Sequence, residues 1–259
     1  MRGFMGKVIA VANQKGGVGK TTTAVNLAAC IGARKKTVLL IDIDPQGNAT
    51  SGYGIDKRDV KVSSYDLLMG SEPVNKAIVH TKFQGVDIIP SSIDLAGAEI
   101  ELCAMEQRDS RLRRSLAPIV DKYSYIFIDC PPSLGLITIN CLCAADTMIV
   151  PIQCEYYALE GLSQLVSSTK QIKRLYNPSL EIEGIVLTMY DNRLNLTRQV
   201  VSEVKKFFPK KLFKTAIPRA VRISEAPSYG LPIMYYDKTS KGARAYSELS
   251  KELLKRNKK

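Results

Sequence analysis

Short, nearly continuous apolar runs alternate along the chain with longer stretches in which apolar residues recur every three to four positions. The runs at 7–13, 37–42, 86–90, 125–129, 147–151 and 182–190 have the length and β-branched content of parallel strands covered on both faces. A last short strand is predicted at 213–217. Helix-type periodicity predicts helices at 20–33, 108–123, 159–175, 196–208 and 240–255. Another helix is predicted up to Leu102 with Ser92 as its N-cap, and Ser63–Met69 reads as a capped helical turn. Strands separated by helices over 259 residues predict an α/β fold: a single domain, 1–259, with a mostly parallel twisted sheet and helices on both faces. No repeat, low-complexity tract or long linker breaks the pattern, and no apolar run approaches the ~20 residues that span a bilayer. The first residues are too few before the first strand for a signal peptide, so a soluble cytoplasmic protein is expected.

The segment between the first strand and the first helix carries the chemistry. It reads Lys15-Gly-Gly-Val-Gly-Lys-Thr-Thr22. A phosphate loop asks for Gly, four residues, then Gly-Lys-Ser/Thr. Gln14 stands where the first Gly belongs, while the Gly19-Lys20-Thr21 end is kept and an extra lysine stands at 15. Gly16, Gly17 and Gly19 allow the tight backbone that aims N–H groups at an anion. Lys20 brings a point charge for the β- and γ-phosphates, and Thr21 a hydroxyl for Mg²⁺. Strand before and helix after is the context the motif needs.

Two other apolar runs end in carboxylates. The run at 37–42 leads into Asp42-Ile-Asp44-Pro45 and the run at 125–129 ends in Asp129. Ligands of parallel sheets bind beyond the carboxyl ends of strands, so these groups are expected to face the nucleotide. Asp129, in the Walker B arrangement, is expected to hold Mg²⁺ through a water opposite Thr21. Turn chemistry before Pro45 explains one of Asp42 and Asp44 well and two poorly.

Charge and cysteines narrow the partners. The chain has 37 lysines and arginines against 25 aspartates and glutamates, a net charge of +12. Residues 193–259 hold 17 of the basic and 5 of the acidic side chains, so the whole excess lies in the last quarter. Such segregation points to a polyanion. Six cysteines without a Cys-x-x-Cys pair, and the single His80, read as reduced and mostly buried thiols beside a surface histidine rather than a metal site.

The chain resembles the ParA/MinD group of deviant Walker ATPases, and within it the short chromosomal, Soj-like ParA proteins. The resemblance rests on Lys15 to Thr22, Leu40 to Asn48, Ile126 to Pro132 and Ile217 to Pro227, and covers residues from about 7 to 254. It implies a dimerising ATPase with ATP and Mg²⁺ as cofactors, slow until stimulated by a ParB-type centromere-binding partner. In its ATP state the protein would bind double-stranded DNA without sequence preference, and so be nucleoid-associated while it drives chromosome or plasmid partition. Carried onto this sequence, Lys15 is expected to reach the ATP site of the other subunit, and Asp44 to position the attacking water. Asp42 is expected near the Mg²⁺ shell. Pro218 and Ala220 would meet the adenine through backbone atoms, because relatives often have Asn at 220. The same resemblance implies a DNA-binding arginine in the 218–222 loop, with Arg219 the first choice and Arg193 and Arg222 behind it, all within the basic region 193–259. Three other readings compete. One is a MinD-like membrane-associated ATPase, which needs a free amphipathic C-terminal helix. The second is a nucleotide-gated DNA-binding regulator with negligible turnover, and the third a small-molecule ligase or metal-cluster carrier.

Overall fold

A computed structural model of the chain describes residues 6–155 and 158–258. Seven strands form one sheet: β1 Lys7–Val11, β2 Val38–Asp42, β3 Val79–His80, β4 Val86–Ile89, β5 Tyr125–Asp129, β6 Thr147–Gln153 and β7 Glu181–Thr188. Their order is β3-β4-β2-β5-β1-β6-β7. All neighbours run parallel except the edge pair β3–β4. Every residue of β2 and β5 is buried, as their unbroken apolar runs require of a sheet covered on both faces.

Alternate strand residues divide the interior into two layers. Val8, Ala10, Leu39, Ile41, Ile126 and Ile128 point to one face. Ile9, Val11, Val38, Leu40 and Phe127 point to the other. The first face is covered by helices α2 Leu95–Cys103, α3 Leu136–Ala144, α4 Ala158–Leu175 and α5 Asn195–Phe207. The second is covered by α1 Lys20–Gly32 and α6 Lys241–Arg256. Helix α6 starts at Ser240, whose hydroxyl accepts from the Ala243 N–H at 3.1 Å. It inserts Tyr246, Leu249 and Leu253 into the core.

Three expectations are corrected. The stretch 213–217 is no strand, since only isolated bridges, Ile185–Leu212 and Tyr190–Pro218, flank it. Segment 108–123 is not one helix: Arg111–Leu116 is helical, Pro118 follows, and a separate 3₁₀ turn covers Val120–Lys122. Ser92 does not cap α2, because that helix begins two residues later behind Asp94, to whose carboxylate the Ser92 hydroxyl donates at 3.0 Å. The capped turn at 63 is present: the Ser63 hydroxyl accepts from Tyr65 N–H, and the Asp66 carboxylate accepts from Ser63 N–H, around helix Ser64–Met69.

Candidate nucleotide site

The strand order gathers the chemistry. β2, β5 and β1 are adjacent, and Asp42 and Val11 lie in register with Asp129 on either side of it. The Gly-rich loop after β1 and both carboxylate-bearing strand ends therefore meet at one edge.

The loop is held from below. The Asn13 carboxamide donates to Pro151 O at 2.8 Å and accepts from the Lys15 N–H at 3.0 Å, while the Thr188 hydroxyl donates to Val18 O at 2.8 Å. Gly17 and Gly19 take φ of +73° and +85°, the left-handed region that glycine enters at least cost. A Cβ at Gly16 or Gly17 would meet no protein atom within 4 Å. The loop thus curls around open space.

Helix α1 begins at Lys20 with Gly19 as N-cap, no side-chain cap and no acidic residue in its first turn. Its orphan N–H groups and the positive end of its dipole are left to whatever enters that space. Lys20 is almost wholly buried, and its ammonium donates to Lys15 O at 3.0 Å. Burial pulls the Lys20 ammonium below its usual pKa, against the raising influence of Asp129, Cys130 and Asp44.

Across from this positive end stand the carboxylates. Asp129 is fully buried, and neither of its oxygens has a hydrogen-bond partner among the described residues. Burial first, then the charge of Asp42, pushes the Asp129 carboxyl well above the usual range; nearby Thr21 and Lys20 work against the shift without closing either oxygen off. Asp42 is also fully buried but satisfied. Its Oδ2 accepts from the Thr50 N–H and hydroxyl, both at 2.7 Å, and its Oδ1 from the Asp44 N–H at 3.3 Å. Burial still raises Asp42 to about 6, with the Thr50 donors opposing. Asp44 spends Oδ1 on the Gln46 N–H at 2.9 Å, which is turn chemistry, while its backbone carbonyl takes the Ser91 hydroxyl at 2.5 Å.

Lys15 lies at the rim, its ammonium 2.7 Å from Glu155 at the end of β6. Pro218 bridges to Tyr190 beyond β7, and Ala220 leads into the short helix Val221–Glu225 in extended conformation. The same bridge brings Arg193 and Arg219 to one end of the sheet. Arg193 is paired with Asp191 at 2.6 Å, and Arg222 with Glu225 at 3.0 Å. Arg219 has no carboxylate partner among the described residues; its guanidinium touches the Met189 sulfur at 3.8 Å. All three arginines are exposed.

Asn13, Thr50, Ser91, Glu155 and Thr188 were not singled out in the sequence. For Asn13 the signal was present, an amide at a strand end opening a Gly-rich loop. For Thr50 and Ser91, set apart from Asp42 by helix and sheet, there was none.

The uncapped helix, the open Gly-rich cradle and the buried carboxylate of Asp129 form a site for an anion and a cation together. An AAA-domain family model matches residues 6–182. Soj of Bacillus subtilis, a sporulation initiation inhibitor, is 56% identical over 96% of this chain and 98% of its own length. A chromosome partitioning ParA of Myxococcus xanthus is 49% identical over 98% of this chain and 89% of its own. The chain belongs to the ParA/Soj family of partitioning ATPases. Among solved structures, a Mycobacterium smegmatis protein titled cobyrinic acid a,c-diamide synthase, with an ATP analogue and magnesium, superposes at a TM-score of 0.84. It is 37% identical over 96% of this chain and 95% of that one. Pyrococcus furiosus MinD, a cell division ATPase, gives 0.80 at 28% identity over 97% and 99%. The ParA/Soj ATPases thus share their fold with proteins titled for other tasks, so the fold by itself does not assign one.

Proposed function

We propose that this partitioning ATPase binds double-stranded DNA without sequence preference as an ATP-held homodimer, and leaves it when a ParB-type partner stimulates hydrolysis. ATP with Mg²⁺ supplies the phosphoryl group and the counter-charge. The N–H groups of Gly16, Gly17, Gly19 and Thr22 and the Lys20 ammonium would hold the phosphates. Thr21 and the two free oxygens of Asp129 fit the metal and its waters, with Asp42 beside them fixing the 44–50 segment through Thr50. Asp44 would orient the attacking water. Lys15 would reach the neighbouring subunit's site once released from Glu155, and Pro218 and Ala220 would line the base. Positioning and charge neutralisation are most of what phosphoryl transfer to water needs.

The observation that carries the DNA part is the link between the loop and the basic last quarter. Thr188 holds Val18, and two residues later Tyr190 N–H donates to Ile217 O at 2.9 Å, beside Arg193 and Arg219. A dimer would double the phosphates contacted and make binding steep in salt. The membrane-associated reading loses its footing because Leu249 and Leu253 of α6 are fully buried in the domain. The family's chemistry would then act in the cytoplasm, on the nucleoid.

The test is binding to a random-sequence duplex with no nucleotide, ADP or ATP, across a salt series. ATP-dependent, salt-steep binding that Arg219→Glu removes while hydrolysis persists is expected. Binding that ignores nucleotide, or an Arg219→Glu protein that binds as before, would refute the reading.

A further inference from the structure

Helix α2 keeps one face apolar and uncovered. Ile93, in the turn that leads into the helix, is 71% exposed and Ile100 80%, and Ala96 and Cys103 continue the exposed line at helical spacing. Leu134, in the loop after Asp129, is also exposed at 37%, and its neighbour Gly135 packs on the Glu99 carboxylate of this helix. The helix's opposite residues Leu95, Ala98 and Leu102 are fully buried, so this is a second apolar stripe and not a misplaced core face.

The rim of the stripe has the wrong sign for this protein. Residues 94–106 hold Asp94, Glu99, Glu101 and Glu106 and no basic residue, in a chain of net charge +12; the first basic side chain beyond them, Arg108, folds back onto the Cys103 carbonyl at the C-terminal end of the helix. Apolar spacing with an acidic border suits an amphipathic helix whose polar face is basic. A second copy of the chain suits it poorly, since two-fold pairing would set acid against acid.

The helix is also wired to the site at two points. Just before it, the Ser91 hydroxyl donates to the Asp44 carbonyl, and the Ser91 N–H donates at 3.0 Å to the Thr50 hydroxyl that holds Asp42. Through Glu99 it packs on Gly135, six residues beyond Asp129. Pressure on this one face reaches both carboxylate loops.

We propose that the exposed face of α2, with Leu134, is the docking site for a basic amphipathic helix of the protein partner that stimulates hydrolysis. The partner's existence rests on the function proposed above; the face and its chemistry do not. Docking shifts the 44–50 and 130–135 segments together, and through them the groups that orient water and metal.

The test uses the full chain and Ile93→Ser/Ile100→Ser, a pair exposed enough to leave folding intact. The first arm measures binding of a labelled leucine–lysine amphipathic helix, with its leucine–glutamate counterpart as control. Wild type is expected to bind the lysine peptide at least about tenfold more tightly than the variant, and to ignore the glutamate peptide. Equal binding by wild type and variant overturns the proposal whatever the partner does. The second arm measures ATP turnover with the ParB-type protein of the same genome. Stimulated turnover lost in the variant, with basal turnover and ATP-dependent DNA binding kept, supports the proposal; stimulation kept overturns it. Loss of ATP-dependent dimerisation in the variant, read by sedimentation, overturns it in favour of a second copy. A wild type that the partner fails to stimulate counts against the function proposed above, and the peptide arm then decides the docking face alone.

Discussion

Replacing Asp129 with Asn is predicted to make the nucleotide-free protein more stable while removing its response to Mg²⁺. The carboxyl group is fully buried, faces Asp42 across one strand spacing, and neither oxygen has a partner within hydrogen-bond geometry among the described residues, the Thr21 hydroxyl lying nearby. An orphaned buried polar group costs about 1–3 kcal/mol, and more when charged. Asparagine removes the ionisable proton, and with it the cost of ionising a buried carboxyl, at nearly constant volume. Taking about 2 kcal/mol as the gain, and roughly 2–4 °C per kcal/mol for a chain of this size, Tm should rise by about 4–8 °C at neutral pH. The pH dependence has a definite sign. The folded pKa lies well above the unfolded one, near 3.9, so between them the native state holds the extra proton. Stability is therefore fullest below about pH 4 and falls by up to about 1.4 kcal/mol per pH unit as pH rises towards the folded value. Asn at 129 should flatten that part of the profile and leave the contribution of Asp42, which ends near pH 6. Thermal melts of both proteins from pH 4 to 8, with and without Mg·ATP, read all of this. Wild type should gain about 3 kcal/mol from ligand at a hundred times its Kd, whereas the variant should gain nothing from adding Mg²⁺ to ATP. A variant that melts below wild type at neutral pH, or keeps the wild-type slope, would refute the electrostatic account of this site.

Two further predictions concern the groups around it. Thr50→Val removes one donor from the Asp42 carboxylate and the acceptor of Ser91 N–H. It should cost about 2–3 kcal/mol at pH 7.5 and clearly less at pH 5, where Asp42 takes up its proton; equal losses in urea melts at the two pH values would show that the bond to the charged form is not the cause. Glu155→Gln frees Lys15 from a half-exposed pair worth at most about 1 kcal/mol, so stability should hold while basal ATP turnover rises by up to about fivefold; a fall in turnover would mean that Glu155 assists Lys15 instead of restraining it.

The sheet was readable from the sequence because each buried parallel strand is a continuous apolar run. β5 begins and ends where the run does, and β2 within one residue. Segment 213–217 misled because a short apolar run looks the same whether it extends a sheet or touches its edge through two bridges. Helix α3 could be given no bounds for a related reason: around Cys141 the pattern reads as apolar and helical, but Leu136–Ala144 is apolar nearly all round and marks neither end. Glycines and the lysine pair marked the phosphate loop, since their spacing is dictated locally by the ligand. The fixing of Asp42 by Thr50 and of Asp44 by Ser91 was invisible, because those partners meet only after β4 has paired with β2.

The same geometry explains why one ligand can throw a switch. Without nucleotide, the N-terminus of α1 presents unpaired positive dipole ends, and Asp129 a buried carboxyl with no partner within hydrogen-bond geometry among the described residues, at one edge of the sheet. Neither can satisfy the other, because both belong to rigid elements whose positions are set by a close-packed sheet. Phosphates answer the first and Mg²⁺ the second, so the two are bound as a unit. Whatever free energy that releases is differential, present in one state and absent in the other, which is the only kind that shifts a conformational equilibrium. The segments able to register it follow β2 and β5. Helix α2 touches both, through Ser91 in the segment just before it and Glu99 in its middle, and its far side is the apolar face left open to solvent. Linkage is reciprocal: a partner held more tightly on that face in one nucleotide state must change the site's affinity for that nucleotide by the same factor.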